Sequence, residues 1–161
     1  MEILIVITIF AVLGMIVTRS VILTLQGSQK SESMVSAREN LDYSLGVIER
    51  QIRNANSIPN SSCTGVGSTS ISYIDQNGSS SYFSCVNTGS VGSYIASESA
   101  SVLTKLTNSN IKINSCSFTC IPSIGSNPPQ VDIDITVQNT DASGVLGSAV
   151  SASTQIYLRN Y

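Results

Sequence analysis

From Ile3 to Val17 the chain reads ILIVITIFAVLGMIV, diluted only by Thr8 and Gly14. After Arg19 and Ser20 the run resumes with Val21, Ile22, Leu23 and Leu25. A helix that crosses a bilayer needs about 20 mainly apolar residues, with a range of roughly 17–25. This run spans at the short end, provided Arg19 snorkels its guanidinium to the water interface. A cleaved signal peptide would carry a basic region before the run and a small-residue cleavage site after it. No basic residue precedes Ile3, no A-x-A pattern follows, and helical character persists, so removal as a signal peptide is not expected.

Between Gln26 and Asn56, Met34, Ala37, Leu41, Leu45, Ile48, Ile52 and Ala55 recur at steps of three and four. That spacing predicts an amphipathic helix with one apolar stripe. Arg38 and Asp42, and Glu49 and Arg53, stand four apart and are placed to pair on its surface. Pro59 is the expected stop, since it drives Ile58 toward extended geometry. One helix over residues 3–56 would be about 80 Å long at 1.5 Å per residue. A globule of 161 residues has a radius of gyration of only about 15 Å. The apolar half must therefore protrude and be covered by lipid or by other copies of such a helix. The expected organisation is a membrane-spanning or filament-core helix over 1–25, its amphipathic continuation over 26–56, and a β-rich head over 57–161.

Segregation of this kind explains the composition. Mean hydropathy is +0.21, yet the remainder is rich in Ser, Asn, Thr and Gly, and charged residues are 11% of the chain, against about 25% in an average domain. Histidine is absent, which excludes Ser-His-Asp triads, Cys-His pairs and His-ligated metals. A pI near 4.9 argues against nucleic acid as a partner of the head surface. No nucleophile–base pair, phosphate loop or basic-aromatic patch stands out, so neither catalytic residues, cofactor nor small-molecule substrate is expected.

After Pro59 the pattern turns to alternation. Residues 71–75 and 81–86 flank Asn77-Gly78, a hairpin signal. Short strands are expected at 93–96 and 102–106, and further strands at 111–118, 131–137 and 154–159, with loops at 122–129 and 140–147. In 131–137, Val131, Ile133, Ile135 and Val137 face one way and Asp132 and Asp134 the other. The fold class that follows is α+β: one antiparallel sheet with a wet and an apolar face, the apolar face covered by the striped half of the helix.

Four cysteines, Cys63, Cys85, Cys116 and Cys120, suit an oxidising compartment and allow three pairings. Our reading pairs Cys63 with Cys85 and Cys116 with Cys120. The second pair requires a turn or bulge at Ser117–Thr119, because residues four apart on a straight strand are separated by about 13 Å, and a bridge needs Cα atoms within about 7 Å. A four-cysteine metal site is not expected, as the spacing is not C-x-x-C. Asp132 and Asp134, with Asp141, read as solvated carboxylates rather than a Ca²⁺ site.

The segment Glu2-Ile-Leu-Ile-Val-Ile-Thr-Ile-Phe-Ala-Val-Leu-Gly14 resembles the start of a type IV pilin or a type II secretion pseudopilin, in which a lone Glu precedes an apolar helix. The segments 106–113 and 128–137, and the ending 158–161, are similar in texture to minor pilins. The resemblance implies a structural subunit that assembles with other pilin subunits through its helix. It implies residence in the inner membrane beforehand, and a role in adhesion, motility, protein secretion or DNA uptake. It implies that Glu2 sets register by pairing with the N-terminal amine of a neighbouring subunit. It also implies a leader ending in Gly ahead of an aromatic-Thr-Leu start. Met1 occupies the position before Glu2, so the leader and first mature residues are expected upstream of Met1, or the start is misplaced. Arg19 after the span would put the C-terminus inside, whereas the cysteines and the resemblance put the head outside, which is the expected topology. Gly14 reads as a glycine tolerated in a membrane helix. The alternative is a signal-anchored single-pass membrane protein whose extracytoplasmic β head binds a ligand.

Overall fold

The computed structural model describes residues 2–99, 101–123, 128–140 and 148–159. A long helix, α1, runs from Glu2 to Arg53, 52 residues, or about 78 Å. Glu2 lies in its first turn and Arg50 and Arg53 in its last, each sign opposing the helix end it occupies. The helix stops three residues short of the expected Asn56, because the sheet captures the chain first. The Ala55 amide donates to Ile52 O at 3.0 Å, a tightened last turn, and the Asn56 amide donates to Ile74 O at 2.8 Å. The neighbouring Ser57 forms a bridge with Ile74.

Among the described residues eight strands follow: β1 (Gly67–Ser68), β2 (Ser70–Ile74), β3 (Ser80–Val86), β4 (Tyr94–Ser99), β5 (Val102–Lys105), β6 (Ile111–Ile121), β7 (Gln130–Asn139) and β8 (Ala149–Tyr157). They form two four-stranded antiparallel sheets, β2-β3-β4-β5 and β1-β6-β7-β8. This corrects the single sheet expected from alternation. The chain from Ser70 to Lys105 completes its own meander, and β6 opens a second sheet rather than extending the first. The Asn77-Gly78 hairpin forms between β2 and β3. The Asp75 carboxylate accepts from the amides of Asn77 at 2.9 Å and Ser79 at 2.8 Å, and Gly78 takes φ 79°, where a glycine carries no Cβ penalty. The last strand begins at Ala149, not Thr154, since β7 pairs it residue by residue from Gln138↔Ala149 to Gln130↔Tyr157. The 122–129 loop is described only at Pro122–Ser123 and Pro128–Pro129, and residues 141–147, with Asp141, lie outside the described residues, as do Asn160 and Tyr161.

One core joins helix and sheets. Ala37, Leu41, Leu45, Ile48 and Ile52 are buried on the helix and continue the expected stripe. Met34 departs from it at 39% exposed, with Ser33 turned inward instead. The helix packs against β7 and β8, which supply Val131, Ile133, Ile135, Val137 and Ile156 to the core. The Ser44 hydroxyl reaches across to Leu106 O at 3.3 Å, and the Tyr73 hydroxyl donates to Gln51 Oε1 at 2.6 Å, tying the helix to the first sheet. Glu49 and Arg53 pair as expected; among the described residues, Arg38 and Asp42 do not.

The disulfides are Cys63–Cys120 and Cys85–Cys116, with Cα separations of 4.5 and 6.4 Å. The expected pairing of Cys63 with Cys85 and Cys116 with Cys120 is therefore overturned. Strand β6 runs unbroken through Ser117–Thr119, so its two cysteines stay on one face, about 13 Å apart, beyond bridging distance. Its irregularity lies earlier, between Ile113 and Ser115. The extra residue moves the inward face from Ile111 and Ile113 to Phe118 and Cys120, as a bulge must when side chains alternate with period two. Cys63 reaches Cys120 because the Gly65 amide donates to Cys120 O at 2.8 Å. Cys85, on β3, ties the first sheet to the second.

Candidate functional site: the bare helix

The half of α1 ahead of the head is apolar around its whole circumference. Sixteen large apolar side chains between Ile3 and Leu25 are each at least 48% exposed, and none of the helix's most apolar stretch is buried within the chain. A helix that is apolar all round belongs inside something. Fully burying one such side chain is worth about 1.5–3 kcal/mol, so covering this surface is worth tens of kcal/mol. That exceeds the roughly 5–15 kcal/mol that holds a domain folded. Ile3 to Leu25 measures about 34 Å at 1.5 Å per residue, close to the ~30 Å hydrocarbon thickness of a bilayer. The helix is thus long and apolar enough to cross a membrane.

Polar groups in this half are few and ordered. The Thr8 hydroxyl donates to Ile5 O at 2.7 Å, Thr18 to Gly14 O at 2.8 Å and Thr24 to Ser20 O at 2.9 Å. Each hydroxyl is spent on its own helix and asks nothing of a partner. Glu2 and Arg19 are the only charged residues before Lys30, and among the described residues neither has an ion-pair or hydrogen-bond partner in the chain. Gly14 has nothing within 4 Å of where a Cβ would stand, so a neighbouring helix has room to approach it closely.

The head offers a cleft where helix end and hairpin meet, lined by Arg50, Gln51, Asn54, Tyr73, Asp75 and Asn77. Its polar groups serve the fold: Asp75 holds the turn amides and Tyr73 is bonded to Gln51. Burial pushes the Tyr73 phenol above its ordinary pKa, and the Asp75 carboxylate adds to the shift. On β7, Asp132 accepts from Gln130 Nε2 at 2.7 Å and Asp134 is exposed. Among the described residues, no three Cys, Asp or Glu side chains converge as a metal site would require. The four cysteines, 63, 85, 116 and 120, are all committed to disulfides. Among the described residues, the largest uncovered apolar surface is the bare helix, with Glu2 in its first turn.

Comparison with protein families, with curated proteins and with solved structures finds no match. The architecture is a long N-terminal apolar helix on a disulfide-bonded antiparallel β head. An anchor of that length suits a membrane, and two disulfides suit an oxidising compartment.

Proposed function

We propose that this chain is a structural subunit, a minor pilin or pseudopilin, of a type IV pilus-like or type II secretion filament. It assembles with other pilin subunits through the Ile3–Leu25 helix. The observation that carries this reading is the bare apolar circumference of that helix, with Glu2 the only charge ahead of Arg19. Lipid covers the helix before assembly and the helices of other subunits cover it afterwards, so the same surface serves both states. The head, held by Cys63–Cys120 and Cys85–Cys116, stands on the extracytoplasmic side and is carried to the filament surface. The role is mechanical: it is not enzymatic, and the head engages neither nucleic acid nor a small-molecule substrate. Glu2 is the residue that selects register, because a charge withdrawn from water must find a partner.

Filaments sheared from cells that make the chain, probed with an antibody to the head, test the reading. Wild-type chain is expected in the filament fraction. Glu2→Ala is expected to stay in the membrane, with both disulfides formed. Wild-type chain confined to the membrane as a monomer would overturn the proposal in favour of an anchored ligand-binding protein. Glu2→Ala chain recovered at wild-type levels would remove Glu2 from assembly.

A further inference from the structure

Arg19 stands seventeen positions after Glu2, which at 1.5 Å per residue places the two charges about 25 Å apart along one straight helix. They cannot meet within a chain. At about 100° per residue they also lie about 100° apart around the axis, so one neighbouring helix cannot serve both from a single face. Every other polar side chain between them, Thr8 and Thr18, already bonds its own backbone. Among the described residues these two charges of opposite sign have no partner in the chain, and each needs one once it is withdrawn from water.

Resting on the filament reading above, we infer that Glu2 of one copy pairs with Arg19 of a second, parallel copy shifted by about 25 Å along the helix axis. The spacing has a second consequence in the membrane. It nearly equals the ~30 Å hydrocarbon thickness, so before assembly each charge reaches water at its own side of the bilayer, Arg19 by snorkelling. Withdrawal from the bilayer into a bundle removes both from water at once. The staggered contact then restores a partner to each, with arginine the cation best suited to an interface pair. Two copies inserted with their heads on the same side pack parallel, which excludes the antiparallel dimer in which both pairs would close at once. In the parallel arrangement each copy offers Glu2 to one neighbour and Arg19 to another. Such a contact is heterologous and propagates as an open helical array.

The test is a charge swap in the full chain, read in the sheared-filament fraction. Glu2→Arg and Arg19→Glu are each expected to lower incorporation by at least about tenfold, since each strands a charge and sets like charges together. The double variant Glu2→Arg/Arg19→Glu is expected to restore it. Wild-type incorporation of Arg19→Glu overturns the pairing and returns Glu2 to another partner, such as an N-terminal amine. A double variant no better than the singles also overturns it, whether Arg19 meets lipid phosphate or a different subunit. If the swapped chain fails to reach the membrane, copies carrying Glu2→Cys and Arg19→Cys, bridged by a short bifunctional thiol reagent, decide instead. Cross-links between unlike positions support the stagger, and cross-links only between like positions, or none, overturn it. Absence of the wild-type chain from filaments would sink the filament reading itself, which keeps the two failures apart.

Discussion

Tyr73 shows how a single side chain couples the helix to the head. It is 3% exposed, stacks on Phe83 with ring centroids 5.3 Å apart, and donates its hydroxyl to Gln51 on the helix. Burial raises its pKa, so in the folded head the phenol keeps its proton where the unfolded chain, with a pKa near 10, releases it. The stability tied to that proton is fully present below about pH 10 and is lost as pH rises from there through the folded pKa. Thermal melts between about pH 9 and 11 check this: the wild-type midpoint should fall more steeply than that of Tyr73→Phe. At neutral pH the variant should cost about 1 kcal/mol, the net worth of one hydrogen bond. Parallel curves for the two chains would count against the buried phenol as the cause.

At the scale of elements, α1 is two helices in physical terms. Its second half is held by the core and its first half by nothing in the chain. Ile48 is fully buried, so Ile48→Ala should destabilise the head by about 2–5 kcal/mol. Ile9→Ala, which empties no core, should leave the melting of the head unchanged. Equal shifts for both variants in calorimetry would contradict the division. This division was legible in the sequence, because an apolar run without periodicity gives way at Gln26 to a stripe at steps of three and four. The pattern Val131, Ile133, Ile135, Val137 was equally plain, since β7 lies between two strands and buries one face. The two-sheet arrangement was not legible. Strand signals are local, whereas pairing is decided by neighbours distant in sequence, and β5 shows no alternation because all four of its side chains are exposed. The bulge in β6 did leave a trace: the apolar positions change parity between Ile113 and Cys116. That change, with the unbroken strand after it, is what rules out the adjacent-cysteine bridge.

For the whole molecule, the disulfides close loops of 57 and 31 residues and staple the segment after the helix, the first sheet and the second sheet into one head. Chain-entropy reasoning gives each on the order of 4 kcal/mol. Non-reducing peptide mapping should recover Cys63 with Cys120 and Cys85 with Cys116, and the paired substitution Cys63→Ala/Cys120→Ala should lower the melting temperature while leaving Cys85–Cys116 intact. Recovery of a Cys116–Cys120 peptide would contradict the straight β6. In the filament proposal the stapled head is the exposed part, and association is assigned to the helix. Of the candidate site, the apolar run was legible from the sequence, and Glu2 was placed at its start. That Glu2 and Arg19 have no partner among the described residues became visible only with the helix built, when Thr8 and Thr18 proved to be satisfied by their own backbone.

The central claim is that the Ile3–Leu25 surface is covered by other helices in the assembled state. A photo-reactive amino acid placed at Phe10, which is 70% exposed in the isolated chain, tests it most directly in intact cells. On irradiation, the filament fraction should yield head-antibody-reactive species at the mass of two or more subunits. A single species at monomer mass, confined to the membrane whatever the dose, would contradict the account.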